Sequence, residues 1–511
     1  MKMVKSLLLG SAAGLVAIAG AQAADLPVKA KPVEYVKVCS VYGAGFYYIP
    51  GTDTCLKVGG FARAEWNFNA GGSHGPYIVG RDARNTREDT FYYLTRVRGI
   101  ISFDARSQTE WGTLRSYIRA GWELESANSE LGADSSYRGR RYFDRAFIQW
   151  AGLTVGKTQS FFDFYANALN YTTLIVGGSD TGHGINLGAY TAQFGGGFSA
   201  TVSLEENTHR RTGLWDASTN ALTFGAFPGL AQPNYGNYAA PRFPDVVANL
   251  RVDQPWGSAQ VMAAIHDVSA SCYGTFCFTA TGQSTNAADE LGWAVGGGVM
   301  FNLPWAQGDQ FWVQGTWAQG AASYLGFNKF AANDLFAMYG HGTSGATGAA
   351  IGSIGLAWAF DGIFKTGTGV ATTEGFQVVA AAQHYWTPAL RTSVFGGYAE
   401  LDFGSATSAD SARTLFCTGL ATNPPGAGQV GSSPLTTCDP SFAVWQVGSR
   451  TIWSPVRNLD IGVEVLYTRL DQNMVGAWNL GSSGGRPAGL YTARDQETWS
   501  GVLRFQRNFW P

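Results

Sequence analysis

Residues 113–125 are TLRSYIRAGWELE, and apolar and polar side chains alternate along this stretch. The apolar side chains of one parity are Leu114, Ile118, Ala120, Trp122 and Leu124. The side chains of the other parity are Arg115, Tyr117, Arg119, Glu123 and Glu125. Because successive side chains of a β-strand point to opposite faces, this period of two predicts a strand with one apolar face and one polar face.

The same alternation recurs along the chain from residue 56, and no internal domain boundary interrupts it. It is clearest at 56–67, 91–106, 459–468 and 499–509. About 17 candidate strands follow from this period of two. A barrel with both termini in the periplasm needs an even number of strands, so about 16 are expected and 18 are the alternative. The alternating up and down directions of the candidate strands fail to match between residues 321 and 375, so a strand is missed or merged there.

Alternation also occurs in soluble β-sandwiches, so the connections decide between the two all-β folds. Tight connections are predicted at 195–197, 254–257, 387–389 and 454–456. They alternate with long stretches rich in Gly, Ser, Asn and Ala near 69–89, 125–140, 161–185, 208–243, 268–290, 403–441 and 470–495. Short periplasmic turns and long external loops are typical of a transmembrane antiparallel β-barrel. Tryptophans at predicted strand ends fit its aromatic girdles, namely Trp111, Trp150, Trp256, Trp305, Trp386 and Trp453.

The composition agrees with a wall that separates lipid from water. Charged residues make up 14% of the chain, against roughly 25% in an average globular domain. The mean hydropathy is nevertheless near neutral, at -0.06, so apolar and polar residues must be finely interleaved. The net charge of -2 argues against a nucleic-acid partner and against a polybasic membrane-surface protein.

The first 23 residues have the pattern of a secretory signal peptide. Lys2 and Lys5 precede an apolar run at 7–20, and Ala21-Gln22-Ala23 forms a small-x-small cleavage site. The run is shorter than the ~20 apolar residues that span a bilayer. We therefore expect export, with the mature chain beginning at Ala24.

The six cysteines fall into three local pairs, which are Cys39 and Cys55, Cys272 and Cys277, and Cys417 and Cys438. Six cysteines allow fifteen pairings, and local bridging is the simplest of them. An exported chain meets an oxidising compartment, where disulfides persist. The alternative is a metal site, but neither a C-x-x-C motif nor a zinc-type Cys/His spacing is present.

Three segments resemble the alphaproteobacterial (rhizobial-type) porins. They are residues 39–60 (CSVYGAGFYYIPGTDTCLKVGG), 153–162 (LTVGKTQSFF) and 504–509 (RFQRNF). The resemblance implies a trimeric, sixteen-stranded general-diffusion porin, embedded in outer-membrane lipid and lipopolysaccharide, whose third external loop folds into the lumen. One departure is that Trp510 and Pro511 follow Phe509, where such chains usually end. The terminal aromatic residue is the expected signal for barrel assembly.

The resemblance places the inward loop at about residues 161–186, and the residues there fit this role. Phe161, Phe162, Phe164 and Tyr165 are suited to pack on the inner wall, and the glycines at 177–182 permit a fold-back. The acids of the loop are Asp163 and Asp180. Arginines with lumenal parity on the early strands are Arg63, Arg96, Arg98, Arg115, Arg119 and Arg145. Opposed acids and guanidinium groups would set a transverse field across a narrow aqueous neck. The alternative is that these arginines are hydrated lumen residues paired with Glu65, Asp104 and Glu123.

Motifs of catalysis and cofactor binding are missing from the sequence. The six histidines show no H-E-x-x-H or i, i+4 spacing, and there is no P-loop or dinucleotide motif. The stretch Gly481–Gly485 fits G-x-S-x-G only formally, because it lies in a glycine-rich loop. We therefore expect neither an enzyme nor a cofactor. The expected organisation is a signal peptide (1–23), a periplasmic segment with a disulfide hairpin (24–55) and the barrel (56–511).

Three function classes follow from the sequence. A passive diffusion channel for small hydrophilic solutes and ions is favoured. A channel selective for a sugar or an anion is second, and an outer-membrane enzyme is third.

Overall fold

The computed structural model describes residues 37–70, 93–126, 140–171, 184–218, 238–271, 289–327, 335–339, 350–422, 437–480 and 489–509. Within these ranges, sixteen antiparallel strands form one sheet that closes on itself. The strands are β1 (Cys55–Phe68), β2 (Tyr93–Thr109), β3 (Gly112–Glu125), β4 (Arg140–Trp150), β5 (Leu153–Thr158), β6 (Ile185–Gly195), β7 (Phe198–Glu205), β8 (Asp245–Gln254), β9 (Gly257–Val268), β10 (Glu290–Asn302), β11 (Gln310–Gln319), β12 (Glu374–Thr387), β13 (Leu390–Asp402), β14 (Phe442–Val456), β15 (Leu459–Gln472) and β16 (Gln496–Asn508). Each pairs with the next, and β1 pairs with β16 to close the barrel. The predicted all-β barrel is confirmed.

The connections are sorted by length between the two ends of the barrel. Six of the seven connections at one end, which we call the short-turn end, contain two residues. Ala151 and Gly152 both have positive φ, as a type I′ hairpin turn requires. The turn predicted at 454–456 lies instead at 457–458, because β14 continues to Val456 through an irregularity in its pairing. All long connections leave from the opposite end.

The two faces of the wall differ as the alternation predicts. Side chains of the apolar parity point out of the barrel, and Trp122, for example, is 65% exposed in the isolated chain. Side chains of the polar parity, such as Glu65, are buried inside. The six tryptophans predicted to form a girdle are all exposed near the short-turn end. Such an outward apolar band is suited to lipid contact.

No barrel strand crosses between Gln319 and Glu374 in the described part of this segment. The strand candidates there belong to the long connection, which contains the 3₁₀ turn Ala322–Leu325 and the short strands Leu335–Tyr339, Ala350–Trp358, Gly362–Phe364 and Ala371–Thr372. Within this connection, Leu335–Tyr339 pairs with Ala350–Trp358, and Gly362–Phe364 pairs with Ala371–Thr372. Two of these strands also pair with other long connections: Ala350–Trp358 with Gly489–Ala493, and Gly362–Phe364 with Leu214–Asp216. Gly489–Ala493 in turn pairs with Ala477–Leu480. A period of two marks a strand, but it does not distinguish a barrel strand from a loop strand.

The long connections also carry an α-helix that the sequence analysis did not predict. This helix spans Ala412–Thr422, and Cys417 on it is joined to Cys438. At the other end of the barrel, Cys39 is joined to Cys55, beside the 3₁₀ turn Ser40–Tyr42 and the strand Tyr47–Tyr48. Two predicted disulfides are thus confirmed, while Cys272 and Cys277 lie outside the described residues. A further 3₁₀ turn spans Thr208–Arg210. No described helix is long and apolar enough to cross a membrane.

Candidate pore constriction

After β5 the chain turns into the barrel, and we call residues 161–171 the inward segment. Its first half lies along the inner faces of β8 to β11. The carbonyl oxygen of Phe161 accepts a 2.6 Å hydrogen bond from the side-chain amide of Asn249. The backbone N–H of Tyr165 donates to the Gln314 side-chain oxygen at 2.8 Å. Since both partners project from the polar face of the wall, the predicted inward loop is confirmed over this range.

The second half of the inward segment reaches β13 and β15. The Ser393 hydroxyl on β13 donates to the carbonyl oxygen of Leu169 at 2.6 Å. The backbone N–H of Tyr171 donates to Oε2 of Glu464 on β15 at 2.5 Å. The segment therefore follows the wall from β8 to β15 and leaves the faces of β1 to β4 opposite it.

Two glycines in the wall make room for aromatic side chains of the inward segment. A Cβ atom on Gly298 would lie 2.5 Å from the ring of Phe164. A Cβ atom on Gly462 would lie 2.3 Å from the hydroxyl oxygen of Tyr171. Any larger residue at either position would push the segment away from the wall, so the glycines fix how closely it docks.

The segment is held in shape by a local turn. Ala166 and Asn167 have φ values of 42° and 58°, which reverse the chain direction. The Tyr165 hydroxyl then donates to Asn170 at 2.6 Å, and the Asn170 amide donates to Asn167 at 3.0 Å. Asn tolerates this left-handed conformation better than most residues do. The predicted fold-back at 177–182 lies outside the described residues.

A buried ionic cluster anchors the root of the inward segment. Ser160 Oγ donates to Glu205 at 2.7 Å, and the backbone N–H of Phe161 donates to the same carboxylate at 3.0 Å. The guanidinium group of Arg210 pairs with Glu205 and is fully buried. Burial disfavours the charged form of Arg210, but Tyr324 and Glu205 outweigh this effect and raise its pKa above the usual value.

Of the two predicted loop acids, Asp163 and Asp180, only Asp163 is among the described residues. Asp163 is 6% exposed and contributes to the field at Arg210 in the root cluster. Asp180 lies outside the described residues. The opposition of Asp163 and Asp180 to the basic wall stays a prediction.

Across β16 to β3, a row of four cross-strand neighbours on the lumenal face alternates in charge. Arg504, Glu65, Arg96 and Glu125 are successive cross-strand neighbours on β16, β1, β2 and β3. The Glu65 carboxylate accepts hydrogen bonds from Arg96, at 2.6 Å from Nε, and from Arg504. Arg96 is only 3% exposed. This row is a buried ionic ladder that ties the first and last strands together.

The next row, one step closer to the short-turn end, contains two adjacent arginines. Arg63 and Arg98 are cross-strand neighbours, flanked by Gln506 and Glu123. Arg98 Nε donates to Glu123 at 2.9 Å. Arg63 Nε donates to the neutral Gln506 at 2.8 Å. No carboxylate among the described residues forms an ion pair with Arg63.

The remaining predicted arginines lie on β3 and β4. Arg115 pairs with Asp104 at 3.0 Å, and Arg119 pairs with Asp144. Arg145 donates to the Asp144 carbonyl oxygen at 2.7 Å. The side chains of Arg115 and Arg119 are 27% and 32% exposed, so they face the aqueous lumen. All six predicted arginines share one face of β1 to β4, and most are paired with acids of the same wall.

The sequence analysis missed the lumenal residues of the last strands as site residues. Arg391 on β13 and Arg450 on β14 lie on the inner wall, close to the end of the inward segment. The guanidinium carbons of Arg450 and Arg504 lie 4.9 and 3.6 Å from the centre of the Tyr171 ring. Their positions in the alternating pattern place both arginines on the polar face of their strands. The pattern does not show which strands the inward segment reaches.

Comparisons with known proteins agree with this architecture. The chain matches the model of the family described as "Porin subfamily" over residues 25–502. Porin Omp2b of Brucella canis is 34% identical over 275 residues, which cover 52% of this chain and 66% of that protein. Porin Omp2b of Brucella suis is 34% identical over 272 residues, covering 52% and 67%. The chain thus aligns with about two thirds of the length of these curated relatives.

The outer membrane channel DcaP of Acinetobacter baumannii superposes on the chain with a TM-score of 0.52 at 12% identity, over 90% of this chain and 99% of that one. At this identity the likeness shows the fold alone. The family match extends over nearly the whole chain and agrees with the closed sixteen-strand barrel and its inward segment. The chain therefore belongs to the porin subfamily of outer-membrane β-barrel proteins.

Proposed function

We propose that the protein is a passive, water-filled channel for small hydrophilic solutes and ions across the outer membrane. The observation that carries this proposal is the inward segment, which is docked from β8 to β15 and faces a charged wall on β1 to β4. A lumen lined by guanidinium and carboxylate groups stays hydrated, and the docked segment narrows it without an apolar plug.

The constriction is proposed to have Arg63, Arg98, Arg115, Arg119 and Arg145 on its basic wall. Arg96 acts behind them, through its buried pair with Glu65. Carboxylates of the same wall pair with most of these arginines, so the wall is close to neutral overall. A nearly neutral wall favours general diffusion over strong ion selectivity. Asp163 and Asp180 are proposed as the acids of the loop side.

Liposomes that contain the purified protein provide the test. Swelling rates in neutral sugars should fall with increasing solute size and should rise in proportion to solute concentration. Saturation by one sugar would contradict general diffusion and support a selective channel. Protein-free liposomes, and liposomes with heat-denatured protein, are the matched controls.

We also propose that the protein is not an enzyme and requires no cofactor. The sequence offers no catalytic motif, and the described residues hold no cluster of three or more His, Cys, Asp and Glu side chains suited to a metal ion. Transport should therefore be unchanged by chelators, and a loss of swelling in a chelating buffer would count against this proposal.

A homotrimer is the proposed assembly. On the lipid-facing side of the barrel, the small residues Ala62, Ala64 and Gly99 form an apolar hollow bordered by Trp122 and Phe505. A second copy would cover this hollow more completely than lipid chains do. Native mass spectrometry should find three chains per particle, whereas monomers alone would overturn the assembly.

Residues 24–55 are proposed to lie on the periplasmic side, held to β1 by the Cys39–Cys55 disulfide.

A further inference from the structure

A polar cavity lies between the inward segment and the inner wall at the short-turn end. Its volume is about 500 Å³. The side chains that define its character are Arg63, Arg391, Arg450, Arg504, Tyr171 and Tyr385. Asp460 is the one acid among the described residues that line the cavity, so guanidinium groups outnumber carboxylates in this lining four to one.

Two of these arginines have local carboxylate partners. Arg391 pairs with Asp460 at 3.3 Å and donates to Ser454 at 3.1 Å. Arg504 pairs with Glu65, which it shares with Arg96. Their charges are thus at least partly compensated.

The other two arginines are compensated less directly. Glu464 is the cross-strand neighbour of Arg450, and Glu65 lies two residues from Arg63 on β1. Neither Arg63 nor Arg450 forms an ion pair with any carboxylate of the described residues. Arg450 is only 7% exposed, and its Nε atom lacks a hydrogen-bond acceptor there. A buried, unsatisfied guanidinium N–H is costly, and an acceptor bound in the cavity would remove that cost.

Tyr171 holds two of the guanidinium groups in place. Its ring lies against Arg504 and Arg450, at 3.6 and 4.9 Å from their guanidinium carbons. The ring itself is fixed by the hydrogen bond from the Tyr171 backbone to Glu464 and by the space over Gly462. A guanidinium group whose face is covered by a ring still presents its N–H edge, which matches the oxygens of phosphate and carboxylate groups.

We propose that this cavity is a binding site for the oxyanion group of a small solute, either inorganic phosphate or a phosphate monoester. The unpaired Arg63 and Arg450 supply the charge, and Arg504 and Arg391 supply further donors. The site rests on the proposed channel function and deepens it. It concentrates anions at the short-turn side of the constriction. Because the cavity is open to the lumen, the anion is expected to bind weakly enough to leave again.

Chloride conductance in planar bilayers, titrated with inorganic phosphate at constant ionic strength and pH, tests this site with the full-length protein. Phosphate should reduce the chloride current along a saturating curve. Arg63→Gln combined with Arg450→Gln should raise the half-saturating phosphate concentration at least about tenfold. Arg450→Lys should give an intermediate value, because it keeps the charge but loses the planar donor edge.

The matched control is Arg251→Gln. Arg251 is also a lumenal arginine, on β8, but it is paired with Asp253 at 2.8 Å and does not line the cavity. This variant should leave the phosphate titration unchanged. A heat-modifiability gel shift confirms that each variant has a folded barrel.

Glycerol 3-phosphate is titrated separately. Whichever of the two compounds, inorganic phosphate or glycerol 3-phosphate, has the lower half-saturating concentration is the preferred ligand.

The outcomes separate this site from the channel function. Normal chloride conductance without saturation by either phosphate compound would overturn the site and leave the channel standing. An equal phosphate response in the double variant and in Arg251→Gln would also overturn it. Absence of conductance in any electrolyte would instead overturn the channel function itself.

Discussion

Arg504 on the last strand lies over the ring of Tyr171, with its guanidinium carbon 3.6 Å from the ring centre. Tyr171 is the last described residue of the inward segment, and Arg504 is also held by Glu65 on the first strand. The closing seam of the barrel and the inward segment therefore meet at one side chain. This contact makes the position of the segment sensitive to single substitutions at the seam.

Tyr171→Ala removes the ring that lies between Arg504 and Arg450. The backbone hydrogen bond to Glu464 remains possible, but the cation–π contacts, each worth about 0.5–2 kcal/mol, are lost. We expect a larger and noisier single-channel conductance, because the end of the inward segment moves more freely. Tyr190→Ala is the control, since Tyr190 is a lipid-facing side chain on β6. Unchanged noise in Tyr171→Ala would show that the ring does not hold the segment.

Gly462→Val tests the close approach of the inward segment to β15. The new side chain would occupy the space of the Tyr171 hydroxyl, and such overpacking costs about 1–3 kcal/mol. Valine suits a β-strand, so the barrel itself should be little affected. We expect an altered conductance with a small decrease in the heat-denaturation midpoint. Gly188→Val is the matched control, because a Cβ atom at Gly188 meets nothing within 4 Å; a comparable change of conductance in it would contradict this reading.

How far the sequence alone predicts this site depends on the kind of contact. Alternation placed Arg63, Arg96 and Arg98 on the lumenal face, because parity along one strand fixes the side on which a residue points. Parity does not fix register between strands that are far apart in sequence. The pairing of Glu65 with Arg504 arises only when β1 and β16 close the barrel.

The same limit explains what was missed elsewhere. Leu335–Tyr339 and Ala350–Trp358 are strands, but they pair with each other and with Gly489–Ala493 instead of with the barrel wall, and no local pattern identifies these partners. Tyr171 is anchored by Glu464, and such a long-range hydrogen bond leaves no signal near either residue. The inward course of residues 161–171 followed from the family resemblance together with the local aromatic residues.

Glu65→Gln should destabilise the barrel more than the loss of an ordinary surface charge does. The Glu65 side chain is completely buried between Arg96 and Arg504. Breaking a buried ion pair by removing one partner typically costs about 3–5 kcal/mol, because the remaining charges are left uncompensated. The heat-modifiability midpoint should therefore fall clearly. Glu290→Gln, at an exposed position on β10, should leave it unchanged; equal effects would mean that Glu65 is not part of the seam.

The disulfides should be intact in the exported protein. Peptide mapping without reductant should recover Cys39 joined to Cys55 and Cys417 joined to Cys438, and we further expect Cys272 joined to Cys277. Replacement of Cys417 and Cys438 together by Ser should loosen the external connections at a cost of about 3 kcal/mol for a loop of this length. The barrel should still form, as the gel shift reports. Free thiols at these positions in freshly purified protein would refute the assignment.

The wall arginines should control ion preference through their balance with the neighbouring carboxylates. Arg119→Ser removes a positive charge and leaves the Asp144 carboxylate unpaired in the lumen. Low-dielectric walls focus the field of that charge, so the channel should become more permeable to cations. The reversal potential under a salt gradient measures this shift, which should be larger at low salt, where the Debye length is about 30 Å at 0.01 M.

A charge-neutral variant separates this field from a change of pore size. Arg119→Ser combined with Asp144→Asn removes both members of the pair, so the wall loses volume but no net charge. The conductance should rise in both variants because the lumen widens, whereas the reversal potential should return to the wild-type value only in the combined variant. Arg115→Ser with and without Asp104→Asn provides a second comparison with the same changes of net charge, in which Asp104 keeps Arg106 as a partner in the single variant. If Arg119→Ser and Arg115→Ser both leave the reversal potential unmoved, these arginines do not face the ion path, and the proposed basic wall is wrong on β3.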